Sequence, residues 1–239
     1  MIRYSRQTRM LVAVDCIIFG FDGQELKLLV IKRSFEPEMG KWSLMGGFVQ
    51  PEESAEDAAF RVLKELTGLE DVYMEQLYAF TGPHRDPLER TVSIAYFSLI
   101  DINQYEKQIS TEYHPEWFPI KKIPSLVFDH EALVKMARDK LRYKADHHPI
   151  LFELLADKFT LPQLHNLYET VYDTIIDKRN FSRKILASGL LIRQKQKEKG
   201  SSKRGAYYYK IDKRTYQHKF DAFLHFDAST DKKQKKVEA

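Results

Sequence analysis

A group of carboxylates around one arginine is the first set of residues that could do chemistry. Arg61 and Glu65 lie in a segment whose apolar residues have the spacing of an amphipathic helix, and Glu53 lies just before that segment. Carboxylate oxygens hold Mg²⁺ or Mn²⁺, and such hard cations need several anionic ligands at once. Positions 62, 65 and 66 share one helix face, because residues three and four apart return to the same side. On this face Val62 and Leu66 supply no metal ligand, which leaves Glu65 alone. We therefore predict neither catalytic residues nor a metal site here.

The segment GGFVQPEESAEDAAFRVLKELTGL resembles the signature of the Nudix hydrolases, G-x5-E-x7-R-E-U-x-E-E-x-G-U, with U a bulky aliphatic residue. The residues that match are Gly47, Glu53, Arg61, Leu63, Glu65, Gly68 and Leu69. Val62 and Leu66 replace two glutamates that hold metal in that family. The resemblance implies a Nudix-like α/β domain, with a mixed sheet and helices, that has lost metal-dependent hydrolysis.

The remnants of this signature have a second interpretation as scaffold. Gly47 and Gly68 would make turns, while Glu53, Arg61 and Glu65 would pair to keep the loop folded. Residual activity stays open, with three nearby acids as substitute ligands: Glu52, Glu56 and Asp57.

Four other residues could line a pocket for a small effector: Asp15, Arg33, Trp42 and His84. Asp15 is the single charge in the apolar run LVAVDCIIF, where its carboxylate could bind a polyhydroxylated ligand or a loop amide. The cationic and aromatic side chains suit sugars or nucleotides, although such residues are also common in exposed loops. No cofactor is expected.

A basic segment near the C-terminal end has the composition of a recognition helix. In DKRNFSRKILASG, Asp177 is the predicted N-cap, and Phe181, Ile185 and Leu186 are the predicted buried face. Side chains suited to bases and phosphates are expected to point outward: Lys178, Arg179, Asn180, Ser182 and Arg183. The next loop, RQKQKEKGSSKR, has the composition of a wing along the DNA backbone, with contacts expected from Lys199, Lys203 and Arg204. A solvated basic hairpin is the alternative.

Elements that must position these residues follow from periodicity and turn signals. An Asp-Gly turn predicts a hairpin of residues 10–20 and 26–33. Ser54 and Gly68 are expected to bound a helix over residues 55–66, and Asp129 to cap another helix. Further strands are predicted over residues 73–81 and 91–99. Together they form a mixed α/β domain.

A second module is predicted after a polar linker over residues 143–149. Helices are expected over residues 150–158, over residues 161–171 behind a Thr160 and Gln163 capping box, and from Asp177 to Gly189. A basic hairpin follows, which makes a C-terminal winged helix-turn-helix domain. The predicted boundaries are 1–146 for the effector domain, 147–230 for the winged helix and 231–239 for a disordered tail.

Charge divides the chain in the same place. Residues 150–239 contain 19 lysines and arginines against 11 aspartates and glutamates, whereas residues 1–149 contain 19 against 23. Such asymmetry is typical of a nucleic-acid-binding module joined to an acidic domain. A single buried-type cysteine, the absence of a long apolar segment and a basic N-terminus without an apolar core favour a cytoplasmic protein that does not span a membrane.

The combination resembles the Nudix-related transcriptional regulators, and most of all their arabinose-responsive branch. The resemblance implies a homodimeric repressor that binds a palindromic double-stranded DNA operator and senses L-arabinose or a related sugar. The same residues are compatible with two alternative functions: an active hydrolase of ADP-ribose or another nucleoside diphosphate, and an ADP-ribose-sensing regulator of NAD metabolism. An RNA-binding adaptor that uses the basic hairpin is a third.

Overall fold

The structure is a computed structural model that describes residues 7–110, 112–198 and 205–218. It divides into two compact units, Met1–Asp139 and Lys140–Ala239. Within the described ranges, no helix is both long enough and apolar enough to cross a membrane.

A mixed sheet forms the first unit. Its elements are β1 Leu11–Phe21, β2 Leu26–Lys32, β3 Trp42–Ser43, β4 Met45–Phe48, α1 Ala55–Thr67, β5 Tyr73–Phe80, β6 Thr91–Asp101, α2 Ile102–Tyr105 and β7 Glu116–Pro119. The strand order is β3-β2-β1-β6-β5, with β4 also paired to β1 and β7 to β2. β1 and β6 are parallel, and the other pairs are antiparallel. The predicted Nudix-like sheet is confirmed.

The β1–β2 hairpin forms where the Asp-Gly signal predicts it. The Asp22 carboxylate accepts hydrogen bonds from the backbone N–H groups of Gln24 and Glu25, at 2.8 and 2.7 Å. Gly23 has a φ of 93°, a backbone conformation that favours glycine. The turn therefore sets the register that brings the two strands together.

Helix α1 also has the predicted ends. Ser54 and Asp57 form a capping box, and Gly68 ends the helix in the left-handed region. The face that contains Ala58, Val62 and Leu63 is buried against the sheet. This packing fixes the orientation of the carboxylates on the opposite side of α1.

The helix α3 His130–His147 follows, and its last turns belong to the second unit. The remaining elements are a 3-10 helix Ile150–Leu154, β8 Phe159–Thr160, α4 Leu161–Tyr172, α5 Lys178–Ala187, β9 Leu191–Lys197, β10 Tyr207–Ile211 and α6 Lys213–His218. β10 lies between β8 and β9, and both pairs are antiparallel. Helices α4 and α5 with this sheet confirm the predicted winged helix.

The predicted secondary structure of two segments is wrong. The expected linker is helical as far as His147, because Arg142 donates to the Val171 carbonyl at 2.8 Å and Asp146 accepts from the Tyr172 hydroxyl at 2.5 Å. The expected helix over residues 150–158 is a short 3-10 helix. Its four apolar side chains are all buried and only Glu153 is exposed, so the segment lacks the broad polar face of an amphipathic surface helix.

The prediction that Leu186 is buried is also wrong. Phe181 and Ile185 are buried as predicted, but Leu186 is 46% exposed. Successive residues of a helix are separated by about 100°, so a face that buries Ile185 turns Leu186 away from the core.

Candidate ligand cavity and nucleic-acid interface

A cavity of about 390 Å³ lies in the first unit, bounded by parts of β1, β2 and β4. Asp15 and Arg33, two of the four predicted effector residues, line it. The cavity has a buried polar end at Asp15 and a more exposed end at Lys32 and Phe35.

The buried end is built around one arginine between two carboxylates. Arg85 donates from Nε and Nη2 to Asp129, at 3.0 and 2.9 Å, and from Nη2 to Asp15 at 3.1 Å. The Ser93 hydroxyl donates to the same Asp15 oxygen at 2.5 Å. The side chains of Arg85 and Asp15 are only 7% and 8% exposed, so these charges are paired away from water.

His130 completes this end as a neutral imidazole. The backbone N–H of Leu44 donates to His130 Nδ1 at 3.1 Å, which places the ring hydrogen on Nε2. That nitrogen faces Asp15 Oδ1 at 3.5 Å. Burial lowers the pKa of His130, so the ring stays uncharged near neutral pH.

At the other end, an arginine lies between two aromatic rings. The Arg33 guanidinium is 4.4 Å from the Phe35 ring centre and 5.1 Å from that of Phe128. Arg33 Nε donates to the Pro37 carbonyl at 2.8 Å. A cation held against aromatic rings suits both a phosphate and a stacked base.

Trp42 and His84, the other two predicted effector residues, do not line the cavity. Trp42 packs edge-on against Phe118, with ring centres 5.0 Å apart, and the Lys32 ammonium lies 4.8 Å from the Trp42 ring. His84 is exposed in its loop. Trp42, on the short edge strand β3, therefore packs against other side chains and does not line the cavity.

Arg85, Asp129 and His130 are the site residues that the sequence reasoning missed. Arg85 follows His84 directly in a polar loop, which was the only available signal. Asp129 was interpreted as a helix cap, but both its carboxylate oxygens accept from Arg85. The pairing of residues 70 positions apart, as in Asp15 and Arg85, depends on the fold.

The Nudix-like segment forms an ion-pair cluster. Arg61 donates to both oxygens of Glu53, at 2.9 and 2.5 Å, to Glu65 at 3.2 Å and to the Phe48 carbonyl at 3.0 Å. The hydrogen bonds from Arg61 and from the Gln50 backbone lower the pKa of Glu53 to about 2. These carboxylates are engaged in holding the loop to the helix.

The donor set does not fit a catalytic Mg²⁺ or Mn²⁺ ion. Val62 is 2% exposed, and a Cβ atom on Gly47 would lie 2.7 Å from its side chain. Leu66 faces the cavity with an apolar side chain. Over the described part of the chain, no group of three or more His, Cys, Asp or Glu side chains could hold a metal ion.

In the second unit, α5 presents a basic face. Lys178, Arg179 and Arg183 are exposed, and Arg183 donates to the Asn180 side chain at 2.8 Å. The Ser182 hydroxyl donates to the Lys178 carbonyl at 2.8 Å. The predicted cap at Asp177 is confirmed. Three wing residues lie outside the described residues: Lys199, Lys203 and Arg204.

Comparison with known proteins identifies both domains. Residues 9–138 match the NUDIX domain family, and residues 151–211 match the family described as the NrtR DNA-binding winged helix domain. The chain is 32% identical to the "ADPR responsive transcriptional repressor NtrR" of Acinetobacter baylyi, over 90% of this chain and 88% of that protein. The chain belongs to the NrtR family.

Two solved structures and one archaeal enzyme are also similar to this chain, over all or part of its length. Shewanella oneidensis NrtR, solved with a 27mer DNA, is 31% identical, with a TM-score of 0.77 over 89% of this chain and 97% of its own. The Nudix domain of that protein, solved with ADP ribose, is 32% identical, with a TM-score of 0.51 over 59% of this chain and 94% of its own. An ADP-ribose pyrophosphatase of Methanocaldococcus jannaschii is 36% identical, over 56% of this chain and 74% of that protein.

These relatives change one expectation. The Acinetobacter repressor and the archaeal pyrophosphatase are named for ADP-ribose, and the Shewanella Nudix domain was solved with it. The predicted preference for the arabinose-responsive branch is therefore not supported.

Proposed function

We propose that this NrtR-family chain is a DNA-binding transcriptional repressor whose Nudix domain binds ADP-ribose as its effector. The observation that carries the proposal is the similarity to an ADP-ribose-responsive repressor over both domains, at 90% of this chain.

The cavity supports a nucleotide effector. Its volume of about 390 Å³ is within the usual range for a small-molecule site. Arg33, between Phe35 and Phe128, offers a cation for phosphate and aromatic surface for a base. Asp15 offers an acceptor for sugar hydroxyls.

The basic face of α5 supports DNA binding. Arg179 and Arg183 are one helical turn apart and exposed, as contacts to guanine or to phosphate require. The winged-helix arrangement places such a helix in the major groove in proteins of this fold.

We further propose that the Nudix domain does not hydrolyse its ligand. Arg61 engages Glu53 and Glu65, while Val62 and Leu66 contribute no ligand oxygen. The second candidate function is ADP-ribose hydrolysis, which the similarity to the archaeal pyrophosphatase favours.

The deciding experiment measures DNA binding with and without ADP-ribose. A duplex enriched by the full chain from a random pool serves as the operator probe, and L-arabinose serves as the control ligand. We expect ADP-ribose to change operator affinity about 5–150-fold and the operator to change ADP-ribose affinity by the same factor, because coupling between two sites is reciprocal. An effect of arabinose without one of ADP-ribose would contradict the proposal.

Hydrolysis is tested separately, by following AMP release from ADP-ribose with Mg²⁺ or Mn²⁺. No turnover above background is expected. Turnover at ordinary enzyme rates of about 1 s⁻¹ or more, abolished by Glu65→Gln, would make the chain a hydrolase.

A further inference from the structure

The hairpin of β9 and β10 contains a register shift. Tyr207 pairs with Lys197 and Tyr209 pairs with Arg193, so four steps along β9 face two steps along β10. A bulge of this kind bends the strand that contains the extra residues. In a regular strand, positions four residues apart would be separated by about 13 Å. The bulge allows Arg193 and Lys197 to approach the same side chain of β10.

Two cations lie over one aromatic ring at this shift. The Arg193 guanidinium is 4.7 Å from the ring centre of Tyr207, and Lys197 Nζ is 4.5 Å from it. The face of an aromatic ring attracts cations, and these two contacts restrict side chains that would otherwise sample many rotamers. Tyr207 thus holds two positive charges near each other against their mutual repulsion.

This surface of β9 keeps hydrogen-bond donors for a ligand. The side chains of Arg193 and Lys197 are exposed, and so is that of Lys195 between them. Arg193 makes no hydrogen bond or ion pair with any residue in the described ranges. Its guanidinium has five N–H donors in a geometry that matches the oxygens of a phosphate. The surface is therefore suited to an anion with several oxygen acceptors.

The ring itself favours a duplex over a single strand. Proteins that bind single-stranded nucleic acid stack its bases on exposed aromatic rings. Tyr207 is only 37% exposed, and two cations already lie over its ring, which leaves little surface for a base. In a duplex the bases are paired and the phosphates face outward, so the cations meet charge without a stacked base.

We propose that Arg193 and Lys197 bind backbone phosphates of the operator, and that Tyr207 is the positioning residue that holds both cations at those phosphates. Tyr207 acts through the two cations and reads no base. These contacts are additional to those predicted for the exposed face of α5. The inference rests on the proposed binding of duplex DNA.

The salt dependence of binding to the selected duplex tests the role of Tyr207. Each phosphate contact contributes about 0.9 to the slope of log affinity against log salt, so Arg193→Gln should reduce the slope by about that amount. Tyr207→Leu removes no charge, yet it should also reduce the slope by about 0.9 or more, because both cations lose their position. Tyr207→Phe should keep the wild-type slope, since the Tyr207 hydroxyl makes no hydrogen bond within the described ranges.

The matched control is Tyr208→Leu, the same change at the next residue of β10. No cation of the described residues lies over the Tyr208 ring, so this variant should keep the slope.

A wild-type slope in Tyr207→Leu would overturn the assignment, and so would an equal loss in Tyr208→Leu, since the hairpin as a whole would then be responsible. Arg193→Gln changes only an exposed side chain, so an unchanged slope in this variant overturns the assignment even where Tyr207→Leu fails to fold. Tighter binding of the wild-type chain to a single strand of the same sequence, lost in Tyr207→Leu, would make the ring a stacking surface and exclude the proposal. If the wild-type chain enriches no duplex from the random pool, the proposed function fails instead.

Discussion

At the scale of single residues, Val62 stands where the Nudix signature has a glutamate, so the same position that lacks a carboxylate contributes to core packing. Val62 belongs to the core that α1 buries against the sheet, beside Gly47. A glutamate at this position would replace packing with a charge that has no partner.

We expect Val62→Glu to destabilise the protein by about 3 kcal/mol or more, because a buried unpaired charge is among the costliest substitutions. Glu65→Gln should cost about 1 kcal/mol or less, since Glu65 is exposed and its ion pair with Arg61 is screened by water. Urea unfolding of the two variants measures this difference. Equal stability would place position 62 in an open, hydrated site.

His130 predicts how stability depends on pH. Burial lowers its pKa in the folded protein, so the unfolded chain binds a proton more readily. The free energy of unfolding should therefore fall as the pH drops below the unfolded value of about 6.5.

Chemical unfolding of the ligand-free protein from pH 7.5 to 5.5 checks this sign. His130→Gln should flatten the curve over that range. The control His84→Gln removes an exposed imidazole and should leave the slope as it is. A slope that His130→Gln does not change would mean that folding does not shift the pKa of His130.

At the scale of elements, α5 separates buried residues that fold the domain from exposed residues that we propose contact DNA. Ile185 is fully buried, and Leu186 next to it is 46% exposed. We expect Ile185→Ala to cost about 2–5 kcal/mol in the free energy of unfolding. Leu186→Ala should stay within about 1 kcal/mol. Thermal denaturation of both variants gives the comparison, and a larger loss for Leu186→Ala would mean that this side chain is covered in solution.

Substitutions on the exposed face of α5 and in the wing should weaken DNA binding in different ways. Arg183→Ala should weaken binding to the selected duplex by about 1–3 kcal/mol and random duplex much less, because a contact to a base edge carries sequence information. Lys203→Ala should weaken both and reduce the slope of log affinity against log salt by about 0.9. Binding isotherms at several salt concentrations separate the two patterns. If neither variant changes affinity, α5 does not enter the groove.

Elements with strong local signals were predictable from the sequence. Local signals act within a few residues: the Asp-Gly turn, the Ser54 cap, the Thr160 and Gln163 capping box and the glycine at the end of α1. The hairpin, α1 and α4 were therefore found nearly to their ends.

The cavity was predictable only in part. Asp15 stood out as the single charge of its strand, and Arg33 as a cation suited to a nucleotide or sugar. Arg85, in the loop between β5 and β6, and His130, at the start of α3, join them only through the fold.

At the scale of the whole molecule, we predict a homodimer. The NrtR resemblance implies two winged helices on a palindromic operator, with half-sites about one helical turn, or 34–36 Å, apart or at multiples of that distance. Sedimentation equilibrium should give twice the chain mass of 28.2 kDa. Changing the half-site separation by five base pairs should abolish tight binding, whereas a monomer would tolerate the change.

The parallel pairing of β1 and β6 has a consequence for the order of events during synthesis. Leu11 pairs with Thr91 and Phe21 with Asp101, so each residue of β1 waits 80 positions for its partner. At about 5–20 residues per second, that interval is about 4–16 s. β2 and β4 emerge early and cover the other edge of β1, through Phe21 with Leu26 and Ala13 with Phe48. The edge that awaits β6 is thus the surface of this domain most open to intermolecular pairing on the ribosome.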